Sequence, residues 1–135
     1  MPILETISIS DQTDIVMVRQ KVRAQTVALG FGLVDQTKIV TAASELARNT
    51  LDYGGGGSVT LEVLESDQRV GLSLKFTDQG AGIANIELAL QNGYTTGGGL
   101  GLGLGGAKRL MHEFEITSEV GKGTCVTTVR WRQQS

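Results

Sequence analysis

The chain has 135 residues, of which 40% are hydrophobic and 19% charged, a size and composition that predict one globular domain over residues 1–135. The formal net charge of -2 argues against a nucleic-acid partner, and the single cysteine excludes a disulfide framework. Because the chain has no signal-peptide pattern and no apolar run near the roughly 18 residues of a membrane span, we expect a soluble cytoplasmic protein without a membrane partner.

The first third of the chain predicts one strand followed by two helices. Residues 3–9 alternate between apolar and polar types, which is typical of a short strand. Apolar residues then recur at helical spacing from Asp14 to Leu29, with Asp11 or Thr13 as a possible cap. A second helix is predicted from about Asp35, as its possible cap, to residue 53.

Glu45 and Asn49 lie four residues apart on the second predicted helix, so their side chains project from one helical face. In isolation, such a pair is typical of a solvent-exposed helix surface, where the interaction between the two side chains stabilises the helix. In an active site, the carboxylate could orient or deprotonate a hydroxyl group, and the amide oxygen could ligate Mg²⁺. The pair alone does not decide between these interpretations.

A hairpin is predicted next, because alternating residues 58–63 and 70–76 flank a turn at residues 66–68. Its second strand places Asp78 at its end, and the chain leaves that strand through Gly80 and Gly82. A single Asp-x-Gly-x-Gly motif is weak evidence for a site, because Asp and Gly are also ordinary turn residues.

The glycine-rich segment from Gly93 to Gly106 is too costly in backbone entropy to be scaffolding alone. A short helix is expected at residues 85–91, and a longer one from Leu100 to Met111. The free N–H groups at the start of the longer helix would attract phosphate. A flexible linker is the alternative, but leucines alternate with the glycines here, whereas linkers are polar throughout.

The last third of the chain predicts a hairpin around residues 121–123, with Thr124 to Trp131 as the final strand. His112 is interpreted as a structural or solvent-exposed residue, and Cys125 as a small core residue. The element order predicts an α/β two-layer sandwich, with a mixed, largely antiparallel sheet and helices on one face. In that architecture Glu45, Asp78 and the glycine-rich segment can converge on one pocket.

Four motifs together resemble the N, G1, G2 and G3 boxes of the GHKL ATPase/kinase superfamily, which has the Bergerat ATP-binding fold. They are Glu45-Leu-Ala-Arg-Asn49, Asp78-Gln-Gly80-Ala-Gly82, the segment Gly97 to Gly106, and Gly123-Thr124. Their joint spacing is far more specific than any one box. The glycine-rich lid is most similar to that of the serine/threonine switch kinases of bacterial stressosomes, and less similar to that of anti-sigma-factor serine kinases. Gly106 departs from the pattern, which has proline there, and this departure bears on lid stiffness.

The resemblance implies an ATP- and Mg²⁺-dependent serine/threonine protein kinase. Asp78 would bind the adenine amino group, reinforced through water by Thr124, and Asn49 would hold Mg²⁺. Glu45 would face the hydroxyl group that accepts the phosphoryl group. The glycines expected to contact ATP are Gly80, Gly82, Gly97, Gly98, Gly99, Gly101, Gly103 and Gly105. Two interpretations stay open for Lys108 and Arg109, namely contact with phosphate or a partner, and a solvated helix end.

The resemblance also implies a substrate, a serine or threonine of a STAS-domain protein in a partner-switching stress response. Release of the kinase would then activate a PP2C-type phosphatase. Two alternatives remain, an anti-sigma factor with kinase activity that binds a sigma subunit, and a nucleotide-gated binding module that activates a phosphatase without catalysis.

Overall fold

The computed structural model describes residues 3–83, 90 and 103–132. The elements in these ranges are β1 (Ile3–Ile9), α1 (Gln12–Ala28), α2 (Leu33–Asp52), β2 (Gly57–Ser66), β3 (Arg69–Asp78), α3 (Gly103–Leu110), β4 (Glu113–Glu119) and β5 (Gly123–Trp131). Their order is the predicted order, while the short helix expected at residues 85–91 falls almost wholly outside the described residues. None of the described helices has the length and apolar character that crossing a membrane requires.

The five strands form one sheet in the order β1-β2-β3-β5-β4, and each neighbouring pair is antiparallel. The two-layer α/β architecture is confirmed, but the expectation of a mixed sheet is wrong for the described strands. Short turns join β2 to β3 and β4 to β5, and such turns produce antiparallel pairs. The two helices between β1 and β2 return the chain to the end where β1 stopped, so Ile9 pairs with Gly57.

The core lies between the two long helices and one face of the sheet. Residues paired directly across strands share a face, and the buried face carries Val59, Phe76 and Val126 in one such row. The helices contribute Val18, Val22, Ile39 and Leu46 to the same cluster. The opposite face carries a polar row made of Thr6, Thr60, Lys75, Thr127 and Glu115. The sheet therefore has one apolar and one polar face, as its alternation predicted.

Helix α2 begins earlier than predicted, and its N-cap is Gly32 rather than Asp35. Gly32 adopts the extended backbone of an N-cap, with φ -68° and ψ 163°, without a side-chain hydrogen bond. The first turn escaped prediction because Leu33 and Val34 are 72% and 68% exposed, so they do not follow the apolar stripe. Asp35 lies in that turn and instead binds Arg130.

Arg130 on β5 joins the sheet to α2 and α3. Its Nη2 contacts Asp35 Oδ1 at 2.8 Å, and its Nη1 donates a hydrogen bond to the Leu110 carbonyl at 2.8 Å. Both charged side chains are largely buried. The C-terminal end of α3 is thereby held against the start of α2, which leaves the N-terminus of α3 directed at the middle of α2.

Candidate active site

Glu45 lies between the N-terminus of α3 and a neighbouring arginine. Its Oε2 accepts a hydrogen bond from the Gly103 backbone N–H at 3.3 Å, and its Oε1 lies 3.4 Å from Arg48 Nη1. The Glu45 side chain is 13% exposed. A largely buried carboxylate therefore occupies the partly positive end of a helix, where an anion is stabilised.

Asn49 is one helical turn beyond Glu45, and its buried Nδ2 has no hydrogen-bond partner among the described residues. Leaving a buried polar group unpaired costs roughly 1–3 kcal/mol, so this amide fits a ligand group better than a closed interior. The amide group could offer its N–H to phosphate or its oxygen to a cation.

The amide of Asn49 fits a shared magnesium site rather than one built by protein alone. Among the described residues, no group of three or more His, Cys, Asp or Glu side chains could hold a metal ion. Mg²⁺ in nucleotide sites is usually held by one or two protein oxygens together with phosphate oxygens and water. The Asn49 side-chain oxygen would be one such protein ligand.

Asp78, at the end of β3, is fixed in orientation by two backbone donors. Its Oδ1 accepts hydrogen bonds from Gly80 N at 2.9 Å and from Thr124 N at 3.3 Å. The first of these bonds closes the turn after β3, and the second ties the carboxylate to the start of β5. Asp78 is therefore a rigid acceptor at the rim of the sheet.

Glycine backbone, without side chains, packs against Asp78 on the side facing α2. A Cβ atom on Gly54 would collide with the Asp78 carboxyl group, and one on Gly80 would lie 2.7 Å from the Gly54 backbone. Gly82 has φ +79°, and a Cβ there would collide with the Glu119 carbonyl. The glycines at 80 and 82 were predicted from sequence, whereas Gly54 was missed because it lies in a run of four glycines that ends a helix.

An open cavity of about 330 Å³ lies at this end of the sheet. It is lined by Thr77, Asp78, Gln79, Thr117, Ser118, Glu119, Lys122, Gly123, Thr124 and Cys125. Cys125 is half-buried and its Sγ lies 3.9 Å from Thr77 Oγ1. The expectation that Cys125 is a core residue is therefore wrong, because its position in β5 faces the polar side of the sheet.

Ser118 is a site residue that the sequence reading missed. Its Oγ lies 2.7 Å from Thr124 Oγ1 and accepts a hydrogen bond from Ile83 N at 2.7 Å. Ser118 therefore links the segment after Gly82 to Thr124. The alternation in β4 carried the relevant signal, because it places Ser118 directly opposite Thr124 in the hairpin.

The described part of the lid, the segment Gly97 to Gly106, is the first half of α3, from Gly103. Gly103 starts this helix with φ +68°, and Gly105 is buried within it. Lys108 and Arg109 are exposed in its last turn, at the opposite end from Gly103. This position favours the helix-end interpretation of both cations over phosphate contact. The predicted contacts Gly97, Gly98, Gly99 and Gly101 lie outside the described residues.

Backbone contacts connect the end of α2 to the turn that follows β3. The Asn49 carbonyl accepts hydrogen bonds from Tyr53 N and Gly54 N at 3.0 and 3.3 Å, and Gly54 packs on Asp78 and Gly80. The turn that follows α2 therefore packs against the turn that follows β3. The Glu45–Gly103 hydrogen bond joins the lid helix to the same helix α2, whereas the cavity beside Asp78 is lined by neither Glu45 nor Asn49.

Residues 34–135 match the family described as Histidine kinase-, DNA gyrase B-, and HSP90-like ATPase. The chain belongs to this family of ATP-binding proteins, as its motifs predicted. Over 125 residues it is 44% identical to the serine/threonine-protein kinase RsbT of Bacillus subtilis (strain 168), a match that covers 93% of this chain and 94% of RsbT. The predicted enzyme class, a protein kinase, is confirmed by this relationship.

Other relatives include the anti-sigma F factor of Geobacillus sp. (strain WCH70), which is 39% identical over 97 residues, covering 67% of this chain and 65% of that protein. A solved structure of the RsbU and RsbW domains of a Mycobacterium tuberculosis protein has a TM-score of 0.66 at 24% identity, and the match spans 100% of this chain but only 34% of the other. The mycobacterial sensor histidine kinase MprB has a TM-score of 0.57 at 20% identity, with 97% and 99% coverage. These two structures support the fold.

Proposed function

We propose that this single-domain chain transfers the γ-phosphoryl group of ATP to a serine or threonine hydroxyl of a STAS-domain protein, with Mg²⁺ as cofactor, in cytoplasmic stress signalling. The observation that carries the proposal is the buried Nδ2 of Asn49, to which no described residue is hydrogen-bonded, one helical turn from Glu45. A magnesium ligand and a hydroxyl-orienting carboxylate need to be neighbours, because the phosphoryl acceptor approaches beside the metal-bound phosphates.

In this proposal, the nucleotide base lies at Asp78. The fixed carboxylate would accept a hydrogen bond from the adenine amino group, and Thr124 would reinforce that contact through water. Gly80 and Gly82 would keep the backbone below the nucleotide free of side chains. The lid glycines, from Gly97 to Gly105, would close over the phosphates.

Glu45 and α3 have linked roles in the transfer step. The Gly103 N–H would donate to a phosphate oxygen, so Glu45 would give up that hydrogen bond and turn to the substrate hydroxyl. The hydroxyl oxygen then bonds to the γ-phosphorus while the bond from that phosphorus to the bridging oxygen breaks, and ADP leaves. The hydroxyl proton passes to Glu45 or to water. A carboxylate is a weak base for an alcohol, so its larger contribution is to orient the nucleophile.

Mg²⁺, when bound at Asn49, would neutralise phosphate charge during transfer. Because the described side chains supply so few metal ligands, loss of the Asn49 amide would weaken nucleotide binding in the presence of Mg²⁺ more than in its absence.

A second candidate is a nucleotide-gated binding module that activates a PP2C-type phosphatase without catalysis. The engagement of Glu45 by Gly103 and Arg48 supports it, since a carboxylate with two donors is not free to act as a base. The anti-sigma F relatives support a variant of this idea in which a sigma subunit is bound. Both candidates use the same nucleotide site and differ in phosphoryl transfer.

The decisive experiment compares wild type with Glu45→Gln, using radiolabelled ATP, Mg²⁺ and a STAS-domain partner isolated by pull-down. We expect transfer to fall by about 10²-fold or more in the variant, with unchanged affinity for a fluorescent ATP analogue. Glu65→Gln, at an exposed carboxylate on β2, serves as the control and should transfer normally. Normal transfer by Glu45→Gln would remove Glu45 from the mechanism, and no transfer by wild type would favour the binding module.

A further inference from the structure

We infer that Arg48 is a positioning residue that holds the Glu45 carboxylate in place for phosphoryl transfer. This inference rests on the proposed role of Glu45 and extends it to a residue inside the first motif to which the resemblance assigns no role. Arg48 lies between Glu45 and Asn49 in sequence, and its Nη1 is 3.4 Å from Glu45 Oε1. Its side chain is 46% exposed, against 13% for Glu45.

When nucleotide binds, Glu45 would lose its hydrogen bond from Gly103 and keep the one from Arg48. Gly103 N–H belongs to the N-terminus of α3, which is the element that would turn its free N–H groups to phosphate. Arg48 belongs to α2, the helix that also carries Glu45, so the spacing between the two side chains does not depend on the lid. Once the Gly103 N–H donates to phosphate, Arg48 would be the remaining donor, among the described residues, that hydrogen-bonds to the Glu45 carboxylate.

The geometry of Arg48 suits this task better than it suits a stabilising role. The two residues lie three apart on one helix and the arginine is 46% exposed, and such a pair contributes little to stability. The guanidinium group has five N–H donors in a rigid fork, and it can keep one of them on Glu45 Oε1 while the other carboxylate oxygen reaches for a hydroxyl group. Arg48 thus sets which oxygen of Glu45 is free.

The test uses two variants. Arg48→Met keeps an unbranched aliphatic stem and removes the guanidinium donors, and Arg48→Lys keeps one charged donor group. Arg19→Met, at an exposed arginine on α1, is the matched control. We expect Arg48→Met to lower the kcat of phosphoryl transfer about 10- to 100-fold, without changing KM for the protein substrate or affinity for an ATP analogue. Arg48→Lys should recover part of that loss, and Arg19→Met should behave as wild type.

A double-mutant cycle separates positioning from direct contact with the reacting groups. In single-turnover reactions, Arg48→Met should cause no further loss when Glu45 is already alanine, which cannot accept a hydrogen bond from Arg48. A persisting loss in that background would show that Arg48 acts without Glu45 and would overturn the inference. Three other results would also overturn it, namely weakened nucleotide binding, a raised KM alone, and an unchanged kcat in Arg48→Met.

A second measurement keeps the inference testable if wild type transfers no phosphoryl group and the proposed function fails. The side-chain nitrogen NMR signal of Arg48, assigned by its loss in Arg48→Lys, should shift in Glu45→Gln both without nucleotide and with a non-hydrolysable ATP analogue and Mg²⁺. A signal that ceases to respond to Glu45→Gln once the analogue is bound would show that Arg48 releases Glu45 in the loaded state, and the inference would be wrong.

Discussion

Asp78 combines a charged acceptor with an unusually constrained setting. Two backbone N–H groups hold Oδ1, while the Gly54 backbone packs against the same side chain. A carboxylate held in this way loses little rotamer freedom when it binds a ligand, which favours affinity. Affinity for adenine should therefore depend both on the charge of Asp78 and on the absence of a side chain at Gly54.

Asp78→Asn tests the charge. The asparagine oxygen can still accept hydrogen bonds from Gly80 N and Thr124 N. The other carboxylate oxygen, however, is replaced by an NH₂ group, which is a donor and would repel an adenine amino group. We expect affinity for a fluorescent ATP analogue to fall about 10- to 100-fold, the range for a hydrogen bond to a charged group. Asp67→Asn, in the exposed β2–β3 turn, should bind normally, and full affinity in Asp78→Asn would exclude this aspartate from the site.

Gly54→Ala tests the space beside Asp78. The new methyl group would displace the Asp78 carboxyl group, and we expect affinity for the ATP analogue to fall about tenfold, equivalent to roughly 1.4 kcal/mol. Gly32→Ala is the control, since a Cβ there meets nothing within 4 Å. Equal affinities for the two alanine variants, measured by titration, would show that the packing of Gly54 does not govern nucleotide binding.

At the scale of elements, periodicity in the sequence was sufficient for most helices and strands. Alternation predicted β1 and both hairpins, because each strand has one apolar and one polar face. The start of α2 was misplaced because Leu33 and Val34 are exposed apolar residues, and the mixed sheet was wrong because strand direction depends on where the helices return the chain. The Asp35–Arg130 contact spans 95 positions, and nothing local in either segment indicates it.

The Asp35–Arg130 pair predicts a large cost for losing one partner. Asp35→Ala would leave a buried guanidinium group without its counter-ion, and we expect the free energy of unfolding to fall by about 3 kcal/mol. The partly exposed pair of Lys21 and Glu5 offers a comparison, and Lys21→Ala should cost less than about 1 kcal/mol. Urea denaturation of both variants measures the difference, and equal costs would mean that Arg130 is solvated when its partner is lost.

At the scale of the whole molecule, the candidate site depends on contacts between distant segments. Glu45 meets Gly103 across 58 positions, and Asp78 meets Thr124 across 46. Residue spacing alone left Glu45 and Asn49 as an ordinary surface pair, and the combination of all four motifs was needed to predict that they share a pocket. The side-chain contacts of Arg48 with Glu45 and of Ser118 with Thr124 escaped prediction, because the motif containing Arg48 assigns it no role and Ser118 lies outside the motifs.

His112 links stability of the whole fold to pH. Its Nδ1 accepts a hydrogen bond from Trp131 N at 2.8 Å. Although His112 is exposed, desolvation of its ring together with the nearby Arg130 guanidinium lowers the pKa of His112 below its ordinary value of 6.5. The unfolded chain therefore binds this proton more readily than the folded protein does. Stability from the neutral ring is fully present above pH 6.5 and decreases as the pH falls below that value, until the pH passes the lowered pKa of the folded state.

His112→Asn should remove this pH dependence, because the asparagine oxygen can accept from Trp131 N and does not titrate. We expect the free energy of unfolding to decrease more between pH 7 and pH 5 in wild type than in His112→Asn, with similar values for the two proteins at pH 7.5. Urea denaturation across this range measures the difference, and carboxylate titration is common to both proteins and cancels in the comparison. Parallel pH profiles would show that the Trp131–His112 hydrogen bond does not couple ring protonation to folding.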